Sequence, residues 1–314
     1  MKREKTLIRS AVLVLILISA LLVVLAAAAA HASERRIVDQ MGRTITVPEN
    51  PKRIVSLAPN ITEILFAVGA GSKVVGVSEF SDYPEAARSL PKVGTYIKPN
   101  LERIVELSPD LVIATADGEK EKEIAKLQTL GIPVYVINPT DISGIIETVR
   151  EIGTLVSKGK EAERLARGME RRIDEVRARV KGLKKVRVLL TFSVEPIITM
   201  SSGTFQDDLI NIAGGVNIAA GERVRYPQFS MEEIIVRAPE VIVITTMSPG
   251  DVDKREVKIW SRFGAIPAVA KGRIYTIDSD IVDRPSPRIV DGLYELTRLL
   301  HPEAFPERGK TDGN

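Results

Sequence analysis

The sequence predicts an α/β protein of two similar Rossmann-like lobes, each a mostly parallel sheet covered by helices, bridged by one long α-helix. Three observations carry that expectation. Strand-length apolar runs alternate with helical segments from about residue 50 to residue 300. A unit at 101–115 recurs without gaps at 231–245, pairing Glu102 with Glu232, Ile104 with Ile234, Pro109 with Pro239 and Thr115 with Thr245. Between the copies lies a charged run whose apolar residues (Ala162, Leu165, Ala166, Met169, Ile173, Val176, Val180) keep a three-and-four spacing. A single narrow stripe of that kind suits a helix lying along the outside of two bodies.

The elements follow in order. Residues 33–48 carry two short alternating segments, which predict a small hairpin. A strand at 53–57 leads to a helix for which Asn60 is a candidate cap, ended by Gly69 to Gly71. Further strands are expected at 74–77, 111–114 and 134–137, with helices from 101, over 119–130 and over 142–156. After the bridge come a strand at 186–192, helices over 205–213 and from 231, and a strand at 241–245. A helix near 259–263, a strand at 274–277 and a terminal helix at 288–300 complete the set. The division expected is 1–32 leader, 33–157 first lobe, 158–182 bridging helix, 183–301 second lobe and 302–314 a disordered tail. Duplicated units on either side of a long helix leave a cleft between the lobes, which is a ligand-binding design.

Composition narrows the function. Basic residues at 2, 3, 5 and 9, an apolar run over 11–30 and Ala30-His31-Ala32 read as a secretory signal cleaved after Ala32. The run is also long enough to serve as an uncleaved transmembrane anchor, so the rest of the chain is exported in either case. Without residues 1–32 the net charge of +3 falls to zero, and no basic excess suggests nucleic acid. The chain has no Cys, which excludes disulfides, thiolate metal sites and a Cys nucleophile. His31 leaves with the leader, and His301 is then a lone, peripheral imidazole, too little for a multi-His metal site or a Ser-His-Asp triad. An extracytoplasmic enzyme on a two-lobed fold is the remote alternative. Asp207 and Asp208, the paired carboxylates open to such an enzyme, read better as the first turn of a helix.

Ordered motifs carry a family likeness. They are Ser56-Leu57-Ala58-Pro59-Asn60 with Thr62-Glu63, then Phe80-Ser81-Asp82-Tyr83-Pro84, and Asn100-Leu101-Glu102-Arg103-Ile104. Pro227-Gln228, Ser230 and the 280–288 loop with Arg284-Pro285-Ser286-Pro287-Arg288 complete them. Over residues 50–300 the chain resembles the substrate-binding proteins of ABC importers, in the class III, helical-backbone group, and within it the cobalamin-binding branch. The resemblance implies a non-enzymatic carrier, expected as a monomer without cofactor, that takes a corrinoid from outside the cytoplasmic membrane to a permease dimer. Siderophore or haem binding in the same class is the alternative.

The likeness also implies site residues. Pro59, Phe80, Tyr96, Phe192 and Tyr226 would line the cleft, where flat rings suit a flat macrocycle. Phe192 ends a strand, which also suits a core position. Asp280, Asp283 and Arg284 would contact the amide edge of the ligand, with Arg288 tethering their loop. Ala58-Pro59 and Gly94-Thr95 would let backbone approach it. Glu102 and Glu232 would dock onto the permease. Their placement also fits helix starts, because Asn100 and Ser230 are good caps and Ser230 with Glu233 spells a capping box.

Overall fold

The computed structural model describes residues 33–116, 121–246 and 259–305, so the leader lies outside it, as do residues 306–314 of the tail. Strands β1 (Glu34–Val38) and β2 (Thr44–Pro48) pair antiparallel as the expected hairpin. The first lobe is built on β3 (Ile54–Ser56), β4 (Val74–Val77), β5 (Leu111–Thr115) and β6 (Val134–Ile137), all parallel in the order β4-β3-β5-β6. Every residue of β5 and β6 is buried, as a parallel strand covered on both faces requires.

The second lobe is built on β7 (Val186–Val194), β8 (Ile197–Thr199), β9 (Gly215–Asn217), β10 (Gln228–Phe229), β11 (Val241–Thr246) and β12 (Ile274–Asp278). Their order is β10-β8-β7-β11-β12, with β9 also on β7. The pairs among β7, β9, β11 and β12 are parallel, whereas β8 and β10 run antiparallel. Strands β8, β9 and β10 were not expected. They hold two or three residues each, too few to show a period in sequence.

The duplicated unit is duplicated in structure. Helices Leu101–Glu106 and Met231–Arg237 each bury one residue, Ile104 and Ile234, and expose the carboxylate two positions before it, Glu102 and Glu232. Ser108 and Ala238, matched positions ahead of the prolines, both take a left-handed backbone (φ 44° and 46°). The same clasp then recurs. Arg53 N–H donates to Asp110 at 2.9 Å and its guanidinium to the Leu107 carbonyl at 2.6 Å. Arg187 N–H donates to Glu240 at 3.1 Å and its guanidinium to the Ala238 carbonyl at 2.9 Å. Each arginine satisfies carbonyls at the end of the repeat helix, which a helix leaves without intrahelical partners.

Side-chain alternation sorts the sheets onto three cores. Val112 and Ala114 face one side of the first lobe, and Ile242 and Ile244 the outer side of the second. Leu111, Ile113, Val241 and Val243 point the other way, into one core shared by both lobes. Helix Gly159–Val180 enters that shared core through Ala162, Ala166, Met169, Ile173 and Val176 and leaves its other faces to solvent. It packs on helices Ile142–Leu155 and Ile289–Leu300. At Gly153 a side-chain carbon would collide with that of Ala162, so a glycine is what lets the first two helices approach.

Several expectations need correction. Asn60 does not cap its helix: Pro59–Ala67 starts at Pro59, with Ala58 in the cap position and no capping side chain. His301 is not peripheral but 1 % exposed, with ring nitrogens 3.2 Å from Glu303 and from the Gly214 carbonyl. The tail is ordered as far as it is described. Pro302–Ala304 forms a 3-10 turn, and the Phe305 ring meets Tyr294 at 5.2 Å and the Arg179 guanidinium at 4.8 Å. The helix expected over 119–130 is described as Glu121–Thr129. The one near 259–263 borders on undescribed residues, with Trp260 fully buried.

Candidate ligand-binding cleft

The site lies where the strands of both sheets end, the usual place for a ligand in an open α/β fold. In the first lobe, four buried hydroxyls fix the loops after β3 and β4. Ser56 meets Thr62 at 2.8 Å, Thr62 meets Ser81 at 3.1 Å and Ser81 meets Ser78 at 2.8 Å. Ser56, Thr62 and Ser81 come from the motifs noted in sequence, and with Ser78 they hold Pro59, Phe80 and Asp82 in place.

Seven of the expected ligand residues meet on one cavity of about 620 Å3: Pro59, Phe80 and Tyr96 from the first lobe, Tyr226, Asp280, Asp283 and Arg284 from the second. Phe80, Tyr96 and Tyr226 are 53, 40 and 50 % exposed, so these rings face open space and not the core. Phe192 does not border the cavity. It is 40 % exposed and meets Tyr226 in a T-shaped contact at 6.1 Å, so it touches a ring that does, and the core position its strand end suggested is not where it sits. Gly94 serves a turn: its φ of 92° and the approach of the Lys98 carbonyl exclude a side chain. Ala58, Asn60, Thr115, Ser279 and Pro285 also border the cavity and were missed as side-chain contacts. Thr115 had a signal, being matched to Thr245 at the end of each repeat.

Arg284 does not reach freely into the cleft. It donates to Asp280 at 2.7 Å and, across the lobes, to Glu63 at 3.1 Å and Asp82 at 3.2 Å. Ser286 donates to the other Glu63 oxygen at 2.6 Å, while Arg288 lies 3.6 Å from Glu63 and 4.3 Å above the Tyr83 ring. Burial raises the Glu63 carboxyl above its ordinary range, opposed by the Ser286 hydrogen bond and the Arg288 and Arg284 charges. Burial likewise raises Asp280 and Asp283. Glu102 and Glu232 lie away from this cleft, exposed in the first turns of their helices. Asn100 accepts from Arg103 N–H at 3.0 Å, and the Ser230–Glu233 capping box is present.

The family model described as periplasmic binding protein matches residues 54–281. The chain belongs to that family. A vitamin B12-binding protein of Vibrio parahaemolyticus is 32 % identical over 255 residues, covering 81 % of this chain and 91 % of the relative. The solved periplasmic vitamin B12-binding protein of Vibrio cholerae superposes with a TM-score of 0.74 at 31 % identity, covering 82 % of this chain and 99 % of its own. A periplasmic haem-binding protein from Roseiflexus reaches 0.72 at 29 % identity, covering 81 and 99 %. The chain is therefore a two-lobed, helical-backbone periplasmic binding protein. Among the described residues no helix is long and apolar enough to cross a membrane, and the apolar run at 11–30 lies outside them.

Proposed function

We propose that the protein captures a corrinoid in the inter-lobe cleft and delivers it to the permease of an ABC importer. The observation that supports this most is the convergence of Phe80 and Tyr96 from one lobe with Tyr226 from the other on a single cavity. Flat rings on both sides bury the faces of a flat macrocycle at little cost in side-chain entropy. Pro59, Asp280 and Asp283 complete the lining, and Phe192 packs edge-to-face with Tyr226.

The charges favour a corrinoid over haem or a ferric siderophore. The charged residues described on the cleft cavity are Asp280, Asp283 and Arg284, and the guanidinium of Arg284 already serves three carboxylates. Anionic ligands of the alternative classes need a cation that is not so engaged. In this reading Arg284 and Arg288 tie the lobes together more than they grip the ligand.

The same reading makes the protein a carrier and not a catalyst, acting as a monomer without cofactor, with 33–157 and 183–301 as lobes about the 158–182 bridge. It is exported, with residues 1–32 either removed or kept as an anchor. Exposed Glu102 and Glu232, one per lobe, suit a permease of two like subunits, since paired surface charges orient and steer association. The absorbance of protein purified from corrinoid-fed and haem-fed cells tests the proposal. A corrinoid spectrum from the first culture supports it, and a Soret band from the second with no corrinoid uptake overturns it.

A further inference from the structure

Away from the cleft, the bridging helix carries a glycine that its packing does not ask for. Gly168 lies in the middle of helix Gly159–Val180. Glycine is the poorest helix former after proline, and alanine would serve the helix better. At Gly153 the neighbouring helix explains the missing side chain. A side-chain carbon at Gly168 would meet only open space and one guanidinium nitrogen of Arg171 at 3.8 Å.

That open space is a groove of about 720 Å3, bordered by the bridging helix, the end of helix Pro59–Ala67 and the start of helix Ile289–Leu300. Its apolar lining is Phe66, Val68, Leu165, Met169, Pro287 and Val290, of which Val68, Met169 and Val290 are buried and form the floor. Positions 164, 168, 171 and 175 share one face of the helix, and about 10 Å of axis separates 164 from 171. Arg164 and Arg171 thus flank the gap at Gly168. The charges on the groove do not cancel. Four basic and two acidic residues border it. Lys158 pairs with Glu161 at 3.5 Å, and Arg172 pairs with Asp291 at 2.7 Å. Arg164 and Arg171 are exposed and make no hydrogen bond or ion pair among the described residues. Glu175, a turn beyond Arg171, pairs with neither.

We propose that this groove is a second ligand site, for one anionic amphiphile. The chain of the amphiphile lies on the apolar floor over Gly168, and its phosphate or carboxylate head takes Arg164 and Arg171 as partners. Arginine side chains are long enough to converge on one head group, and guanidinium matches the oxygens of such anions with paired hydrogen bonds. A free molecule fits better than a bilayer surface, because the floor is buried and a flat surface would meet only the rim. The groove shares no residue with the inter-lobe cleft, so the inference stands apart from the corrinoid reading.

The test titrates wild type, Gly168→Leu and the double variant Arg164→Gln, Arg171→Gln with dodecyl phosphate and with dodecyl maltoside, each below its micelle-forming concentration. Thermal unfolding and sedimentation velocity are followed in parallel. Wild type should bind one dodecyl phosphate, and the uncharged maltoside about tenfold more weakly. The double variant should lose about tenfold in affinity for the phosphate and stay within about twofold for the maltoside. Gly168→Leu should bind neither, yet unfold no earlier than wild type, because leucine favours a helix more than glycine does. The double variant changes only exposed side chains, so a folding defect in Gly168→Leu does not spoil the comparison. Equal wild-type affinity for the two amphiphiles overturns the proposal, as does phosphate binding within about twofold of wild type in either variant. Binding of wild type to phosphatidylglycerol vesicles but not to monomeric dodecyl phosphate overturns it in favour of a membrane contact. A wild-type dimer that Gly168→Leu dissociates overturns it in favour of an interface between copies.

Discussion

Glu63 in the first lobe and Arg284 in the second lie 3.1 Å apart, with side-chain exposures of 2 and 17 %. The pair joins the helix that begins at Pro59 to the loop that carries Asp280 and Asp283, so both walls of the cleft share one buried ionic contact. Removing the carboxylate should strand part of two guanidinium groups and the Ser286 hydroxyl. Glu63→Ala is expected to lose about 1–3 kcal/mol of folding stability, the cost of unpairing buried polar groups. Denaturant unfolding measures it, and a loss below about 0.5 kcal/mol would reduce the contact to a surface-type pair.

The same carboxyl predicts a pH dependence. Burial holds Glu63 above its ordinary 4.5, so the folded state binds the proton more tightly than the unfolded chain. The contribution of that proton is fully present below 4.5 and is lost as pH rises through the folded value. Glu63→Gln has no proton to lose there. The stability of wild type relative to Glu63→Gln should fall as pH rises from mild acid toward neutrality, and a difference that grows instead would contradict the assignment.

The close crossing at Gly153 predicts a packing defect. Gly153→Ala adds a methyl group where Ala162 already sits, and overpacking of a tight contact costs about 1–3 kcal/mol. The helix-propensity gain of about 1 kcal/mol offsets only part of that. Adding Ala162→Gly should restore part of the loss. Two substitutions whose effects simply add would show that these residues do not meet.

Much of this was legible in the chain because the informative signals are long or repeated. The bridging helix shows over six turns, and its five buried residues all belong to the stripe read from the sequence. The 101–115 and 231–245 units predict each other, and their clasps by Arg53 and Arg187 follow once the strands are in place. What stayed hidden depends on distant partners. Nothing near Arg284 in sequence announces Glu63, 221 positions away. Asn60 looked like a helix cap because local rules cannot tell a cap from the second residue of a helix that Pro59 already opens. The strands β8, β9 and β10 exist because a neighbour supplies their hydrogen bonds, and their own composition barely favours them.

Glu102 and Glu232 predict a separation of binding from delivery. The double variant Glu102→Ala, Glu232→Ala should keep ligand affinity within about twofold, because both residues lie away from the cleft. Uptake through the reconstituted importer should fall, and fall further at low salt than at physiological salt, where screening already weakens the charge pairs. Normal uptake at both salt levels would leave the two as helix-start carboxylates only.

The central claim is that the inter-lobe cleft takes a corrinoid by its aromatic lining. Calorimetric titration of residues 33–314 with cyanocobalamin, cobinamide, haemin and a ferric siderophore tests it directly when repeated on Tyr96→Ala and Tyr226→Ala. The account predicts saturable one-to-one corrinoid binding, weak or absent binding of the two anionic ligands, and a loss of about 1–3 kcal/mol of corrinoid affinity in each variant. Binding of haemin or the siderophore with no heat from either corrinoid would contradict it.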